Sequence, residues 1–136
     1  MDAQEEPGNA AAFSAAPVGQ PLRISVNSQA RLRVITLAGA VQLDQAAELR
    51  NRLVAAVEPH APDLIIDLSE LAFMGSTGLS ALLAARSEAL RHGGRVHLVA
   101  PRPAIAGLLR VVRLDRLFPI HDRLTDALKA LGQTAE

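Results

Sequence analysis

Two adjacent hydroxyl side chains carry the clearest chemical potential in this sequence. Ser76 and Thr77 stand between Gly75 and Gly78, after a short apolar run and directly before a leucine-rich stretch. A helix is predicted to begin at these residues, and the backbone N–H groups of a first helical turn are free to bind an anion. A hydroxyl at that position is suited to carry a phosphate. The alternative is that the hydroxyl only caps the helix.

Nucleophilic catalysis is a competing interpretation of the same residues. Residues 75–78 are superficially similar to a G-x-S-x-G nucleophile turn, but the first glycine of that pattern would fall at Met74. His121 and Asp122 could act as a base and its orienting acid, yet sequence neighbours cannot easily form that hydrogen bond. We therefore predict no catalytic residue and expect that the protein is not an enzyme.

A metal or cofactor site is not indicated either. The sequence has four histidines and no cysteine, and the histidines lack the spacing of a zinc site. We interpret them as surface residues: His60, His92, His97 and His121. Gly93-Gly94 closes a predicted helix and opens none, so a glycine-rich phosphate loop is not expected. The prediction is that the chain binds no metal and no cofactor.

The composition excludes several classes of partner. The sequence has 14 Lys and Arg against 14 Asp and Glu, and 2% aromatic residues. Proteins that follow nucleic-acid phosphates carry a basic excess, and single-strand binders stack bases on aromatic rings, so we expect no direct nucleic-acid contact. The acidic start and the short uncharged run of residues 71–85 fit neither a signal peptide nor a membrane helix. A cytoplasmic protein without membrane association is predicted, and its oligomeric state stays open.

The chain is predicted to divide into a tail and one domain. Residues 1–20 lack apolar periodicity and are predicted to be a disordered tail, whereas residues 21–136 form the domain. Strand and helix signals alternate there in the order β-β-α-β-α-β-α-β-α. The strands are predicted at residues 22–26, 32–37, 63–68, 95–100 and 117–120, and the helices are predicted to begin near Asp44, Ser76, Pro103 and Asp122.

This alternation predicts an α/β fold with a mixed, mostly parallel sheet of four or five strands and helices packed on it. The second helix is expected to face the core with Leu79, Leu82, Leu83 and Leu90, and the third with Ile105, Leu108, Leu109 and Val112. Residues 71–76 are predicted to be a loop. In such sheets functional groups gather beyond the carboxyl ends of strands, and Ser76 follows one of those ends.

The segment around Ser76 resembles a known family signature. It reads Asp67-Leu68-Ser69 and, after a short interval, Phe73-Met74-Gly75-Ser76-Thr77-Gly78-Leu79. This is similar to the D-L-S and F-[ILM]-D-S-[ST]-G-L motifs of the STAS domain, in particular of bacterial anti-sigma factor antagonists, or anti-anti-sigma factors. The similarity covers about residues 21–131 and includes Leu43-Asp44-Gln45-Ala46 upstream and Leu114-Asp115-Arg116-Leu117-Phe118 downstream.

The resemblance implies a STAS fold and a switch by phosphorylation of Ser76, with Thr77 as the fallback acceptor. It implies a partner surface of Gly75, Ser76, Thr77, Gly78, Asp44 and Gln42. The implied partner is an anti-sigma factor serine kinase, and the ATP is bound by that kinase. Binding of the unphosphorylated protein to this kinase would release a sigma factor for transcription, and a phosphatase would remove the phosphate.

The sequence departs from the family pattern beside both parts of that surface. Gly75 stands where the family usually has Asp, and Ala40 and Gln42 stand where it tends to carry acids. A STAS scaffold or ligand-sensing module, associated with a stressosome or a transporter and without a phosphoswitch, would fit the loss of these acids. That module is the alternative function.

Overall fold

The computed structural model describes residues 20–29 and 31–132. The predicted tail therefore lies, apart from Gln20, outside the described residues. The strands are β1 (Arg23–Gln29), β2 (Leu32–Ala40), β3 (Asp63–Phe73), β4 (Val96–Val99) and β5 (Ile120–His121). The helices are α1 (Ala46–Ala56), α2 (Ser76–Arg91), α3 (Pro103–Val111) and α4 (Leu124–Ala130), and a short 3-10 turn at Leu43–Gln45 precedes α1.

The five strands form one sheet in the order β1-β2-β3-β4-β5. β1 pairs with β2 in the antiparallel sense, and every other neighbouring pair is parallel. The α/β class, the order of elements and the mostly parallel sheet are thereby confirmed. The carboxyl ends of β2 and β3 lie side by side, since Ala40 pairs with Phe73.

The two central strands run further than the sequence predicted. β2 continues through Gly39 to Ala40, and β3 continues to Phe73, so much of the predicted loop of residues 71–76 is strand. Gly39 does not end the strand: it adopts a φ of +87° and lies against the Pro21 carbonyl, where a Cβ would overlap. The β2–β3 register shifts twice before the strands end. Such bulges reverse the alternation of side chains, which hides the continuation of a strand from a period-two pattern.

The sheet separates two cores of unequal size. The three-helix face packs against α1, α2 and α3 and buries a cluster that includes Leu37, Leu49, Leu53, Leu64, Ile66, Leu68, Leu82, Leu98, Leu109 and Phe118. Among the described elements, the α4 face packs against α4 alone, and it buries Leu32, Val34, Ile65, Val99, Ala127 and Leu128. The helices of the candidate site, α1 and α2, therefore pack on the larger core.

The rotational phase predicted for α2 is wrong in part. Leu82 is fully buried, but Leu83 is 37% exposed and Leu90 is 52% exposed. The buried side of the helix consists largely of small residues: Gly78, Ala81, Leu82, Ala85 and Ala89. Small side chains let α2 lie close to its neighbours, so alanines take the inward positions and two leucines are left outside.

The surface interpretation of the histidines is wrong for His97. This side chain is 3% exposed on β4, and its Nδ1 atom lies 2.9 Å from Nε2 of His121 on β5. The two rings stack with centroids 5.1 Å apart. The other ring nitrogen of His97, Nε2, is buried and has no hydrogen-bond partner among residues 20–29 and 31–132. Residues 24 positions apart thus form a pair that no local sequence pattern indicates.

None of the helices in the described part of the chain combines the length and the apolar character that a membrane crossing requires.

Candidate functional site

Ser76 is the first residue of α2 and lies just beyond the carboxyl end of β3. Its side chain is exposed, and no side-chain hydrogen bond caps the helix. The first helical backbone bond runs from the Leu79 N–H to the Gly75 carbonyl at 3.1 Å. The backbone N–H groups of residues 76–78 consequently precede the helical ladder and remain available to an anion.

The capping interpretation of the two hydroxyls does not hold in this structure. The N-cap of α2 is Gly75, which has no side chain with which to cap. Ser76 and Thr77 lie inside the first turn, Ser76 exposed and Thr77 half-buried. The Ser76 hydroxyl therefore stands at the positive end of a 16-residue helix dipole without holding that helix end in place.

The two glycines around Ser76 have different structural roles. Gly78 is buried, and a Cβ there would overlap the side chain of Met74, so this glycine lets α2 start directly over Met74. Gly75 has an extended backbone with φ −98° and ψ −161°, which any residue adopts. A Cβ at Gly75 would meet the Phe73 ring at 3.7 Å, an ordinary contact. A side chain thus fits at position 75, whereas packing against Met74 excludes one at position 78.

A second loop lies beside this helix start. The Val41 N–H donates to the Phe73 carbonyl at 2.9 Å, which joins the 3-10 turn before α1 to the end of β3. Gln42 is half-buried, and its backbone N–H donates to Oε1 of Gln45 at 3.2 Å. Asp44 is exposed within the turn. Asp44 does not cap the first helix, because Gln42 occupies the N-cap of the turn and Gln45 that of α1.

A groove of about 270 Å³ runs between the amino-terminal ends of α1 and α2. Its walls carry small residues and one cation: Ala46, Ala47, Arg50, Thr77, Ser80 and Ala81. Leu43, in the 3-10 turn before α1, is 80% exposed, and Phe73, at the end of β3, is 45% exposed. We define the α2-start surface as Ser76, Thr77, Leu43, Phe73 and this groove.

The sequence predicted a partner surface at Ser76 and the Gln42–Asp44 loop but did not indicate the apolar side chains that lie beside them. Leu43 and Phe73 are large apolar side chains exposed to water, and the alanine-lined groove that includes Arg50 forms only where α1 and α2 meet. The sequence signal for the groove was present as Ala46-Ala47 and Ser80-Ala81. Small residues on two successive helices indicate that these helices pack closely. A search for apolar periodicity treats such residues only as weakly apolar and does not reveal the groove.

The Asp67-Leu68-Ser69 motif has a structural role at the edge of the sheet. The Asp67 carboxylate accepts a hydrogen bond from the Ser69 backbone N–H at 2.9 Å. The Ser69 carbonyl accepts one from Nε of Arg102 at 3.0 Å. These bonds lie at the first register shift of β3 and join it to the loop before α3. The motif thus shapes β3, the strand whose carboxyl end leads to Ser76. Among the described residues, no group of three or more potential metal ligands occurs.

Comparison with known proteins adds three findings to this geometry. The family model described as "Mlab, STAS domain" matches residues 24–126. RsfB, an anti-sigma-F factor antagonist from Mycobacterium tuberculosis, is 30% identical over 107 residues, which are 79% of this chain and 87% of RsfB. The crystal structure of an anti-sigma factor antagonist from Mycobacterium paratuberculosis superposes with a TM-score of 0.76 at 30% identity, over 88% of this chain and 100% of that one.

A more distant likeness concerns the fold alone. SpoIIAA, a Bacillus cell fate determinant whose structure was solved in the phosphorylated form, superposes with a TM-score of 0.64 at 20% identity. The superposition covers 79% of this chain and 98% of SpoIIAA.

Proposed function

The chain belongs to the STAS-domain family, and we propose that it is an anti-sigma factor antagonist switched off by phosphorylation of Ser76. In its unphosphorylated form it binds an anti-sigma factor serine kinase of the histidine-kinase-like ATPase type through the α2-start surface. The kinase then releases a sigma factor for transcription. A phosphatase restores the active form. The protein is a substrate of the kinase and is not itself an enzyme. The ATP is bound by the kinase. The protein acts in the cytoplasm.

The observation that carries this proposal is the state of the Ser76 hydroxyl. The hydroxyl is exposed, does not cap α2 and stands beside backbone N–H groups that no helical bond uses. A kinase can therefore reach it without unfolding the helix. The phosphate would then lie at the positive end of α2, which tolerates a charge of about −1.5 to −2 in the free protein.

The apolar side chains of the α2-start surface supply the reason for switching. Leu43 and Phe73 are exposed beside Ser76, and a bound partner would cover all three. A phosphate under that partner would lose its water and would leave its charge unpaired at an interface that fits the neutral hydroxyl. Burying such an unpaired charge costs several kcal/mol, so phosphorylation weakens binding while the fold persists.

The test requires the partner and a matched control position. The anti-sigma factor kinase recovered with the tagged protein from the native cell is titrated against unmodified protein and against protein phosphorylated at Ser76. Protein phosphorylated at Ser87 is the control, because Ser87 is exposed on the same helix but distant from its start. We expect phosphate on Ser76 to weaken binding by more than about tenfold, about 1.4 kcal/mol, and phosphate on Ser87 to have little effect.

Two variants complete this test. Ser76→Ala should bind the kinase and resist inactivation by ATP, whereas Thr77→Ala should still be inactivated. Equal affinity of the kinase for the phosphorylated and unmodified forms would eliminate the switch and favour the scaffold function. Phosphate found by mass spectrometry on Thr77 and absent from Ser76 would move the switch to the fallback residue.

A further inference from the structure

A second concave surface lies at the other end of α2. It is a cleft of about 310 Å³ between the last turns of α2, the start of β4 and the segment before β5. Six residues line it: Arg86, Leu90, Arg95, Val96, Leu117 and Pro119. We call this the α2-end cleft. It shares no lining residue with the groove of the α2-start surface.

The walls of the α2-end cleft are apolar and open to water. Leu90 is 52% exposed and Leu117 is 40% exposed, while Val96 at the bottom is 3% exposed. Leu83 is also exposed and lies seven residues before Leu90, two turns along the same side of α2. Sequence periodicity placed both leucines in the core, so their exposure on a shared stripe leaves an apolar surface that the domain's own packing does not use.

The rim of the cleft is positively charged. Arg86 and Arg95 are the charged residues among its six lining residues, and no carboxylate is among them. Nε of Arg86 donates to the Leu117 carbonyl at 3.3 Å, which holds the guanidinium across the cleft and leaves its other N–H groups for a ligand. Within the described residues, neither guanidinium forms an ion pair, whereas Arg91 on the same helix pairs with Glu88 at 2.7 Å.

From this arrangement we infer that the α2-end cleft binds an acidic amphipathic segment of a partner protein, one that inserts a leucine-like side chain between Leu90 and Leu117 and places carboxylates on Arg86 and Arg95. Arginine binds carboxylates through two parallel hydrogen bonds, so two unpaired guanidiniums select a segment with acidic residues beside its apolar anchor. A second copy of this chain does not fit. Two copies packed cleft to cleft about a two-fold axis would bring the arginines of one copy against those of the other, and like charges repel.

Binding at this cleft is independent of the Ser76 switch. Leu90 lies fourteen residues beyond Ser76 on α2, which corresponds to about 20 Å along the helix. An acidic segment in the α2-end cleft therefore leaves the α2-start surface free. The inference does not rest on the proposed function, since it concerns other residues and another ligand chemistry.

The experiment uses the full chain and a pair of probe peptides. The first is a capped helical peptide of glutamate and leucine with leucines at i, i+3, i+4 and i+7, and the second has lysine in place of every glutamate. Methyl NMR of the leucine and valine side chains reports where each binds. We expect the glutamate peptide to shift Leu90, Leu117 and Val96 and the lysine peptide to shift none of them.

Charge-reversal variants provide the matched comparison. Arg86→Glu with Arg95→Glu should weaken the glutamate peptide by more than about tenfold, while Arg23→Glu with Arg52→Glu, on exposed positions of β1 and α1, should leave its affinity unchanged. Circular dichroism confirms that each variant is folded. If the first double variant unfolds, Arg95→Gln alone replaces it, since the Arg95 side chain forms no hydrogen bond within the described residues. A threefold loss of affinity for the glutamate peptide is then expected.

Several outcomes overturn the inference. Equal binding of both peptides would mean that the cleft selects apolar surface alone. Shifts confined to Leu43 and the α1–α2 groove would place the peptide on the α2-start surface. Self-association that Leu117→Ser abolishes would make the occupant a second copy, and binding to phosphatidylglycerol vesicles that requires Arg86 and Arg95 would make it a lipid surface.

Discussion

The two faces of the sheet are built from the same strands but covered very differently. Within the described residues, the three-helix face buries long aliphatic side chains from three helices and three strands, whereas α4, a helix of seven residues, is the one helix over the other face. The first face supports α2 and hence the exposed Ser76. The second contains His97, a buried histidine with one ring nitrogen that no described residue contacts by a hydrogen bond. The core of the three-helix face, beneath the candidate site, therefore supplies most of the stability. The pH dependence of that stability is expected to originate on the α4 face.

The largest expected effect tests the three-helix face. Leu109→Ala removes a fully buried side chain of α3, and we expect a loss of about 2–5 kcal/mol in the free energy of unfolding. Urea denaturation followed by circular dichroism measures it. Val111→Ala is the control, because Val111 on the same helix is 79% exposed and should change stability by less than about 0.5 kcal/mol. A loss near zero for Leu109→Ala would show that α3 does not carry the core.

A smaller loss is expected from the equivalent change on the α4 face. Leu128→Ala also empties a buried position, with 6% exposure, but α4 is short and borders solvent, so it can settle into the space. We expect about 2 kcal/mol, the low end for such changes. Denaturation under the same conditions as for Leu109→Ala allows direct comparison. A loss that exceeds the Leu109→Ala value would reverse the assignment of stability to the two faces.

The pH dependence of stability should originate on the α4 face. Burial lowers the pKa of His97, nearby His121 and Arg95 lower it further, and Asp63 opposes them weakly. The unfolded state therefore binds more protons than the folded state, and stability falls as the pH drops below the unfolded value of about 6.5. One such histidine removes at most about 1.4 kcal/mol by pH 5.5.

Chemical denaturation at pH 7.5 and 5.5 measures this loss for the wild type and two variants. His97→Leu should flatten the pH dependence whatever its effect on absolute stability. His60→Leu should leave the slope unchanged, because His60 is exposed. An identical slope in the wild type and in His97→Leu would assign the acid sensitivity to other groups.

The smallest expected effect on stability concerns the start of α2. Gly75→Asp places a capping carboxylate at the N-cap, on a backbone that accepts it and in ordinary contact with Phe73. We expect a gain of a few tenths of a kcal/mol, while the rate of Ser76 phosphorylation or the affinity for the kinase changes. Gly75→Asn separates capping from charge, since it caps equally well. A stability loss above about 1 kcal/mol would mean that Gly75 is required by the fold.

Much of the fold was predictable because it depends on short-range patterns. Alternating apolar residues and helical stripes are local, so they indicated the order of elements and the parallel sheet before any contact was known. The exposed hydroxyl of Ser76 was also predictable, because a strand, a small polar loop and an apolar helix leave few other arrangements. The bulges of β3 and the phase of α2 were not, since both depend on which neighbour a residue meets.

The sequence alone determined the class of the fold and the family and predicted Ser76 as the residue that carries a phosphate, because each of these depends on patterns of consecutive residues. The tertiary structure decided which leucines of α2 are buried, that His97 and His121 meet, and that Leu90, Leu117 and two arginines converge on one cleft. These features join residues far apart in the chain. Their positions follow from how closely helices approach the sheet, which is a property of packed volumes and not of local periodicity.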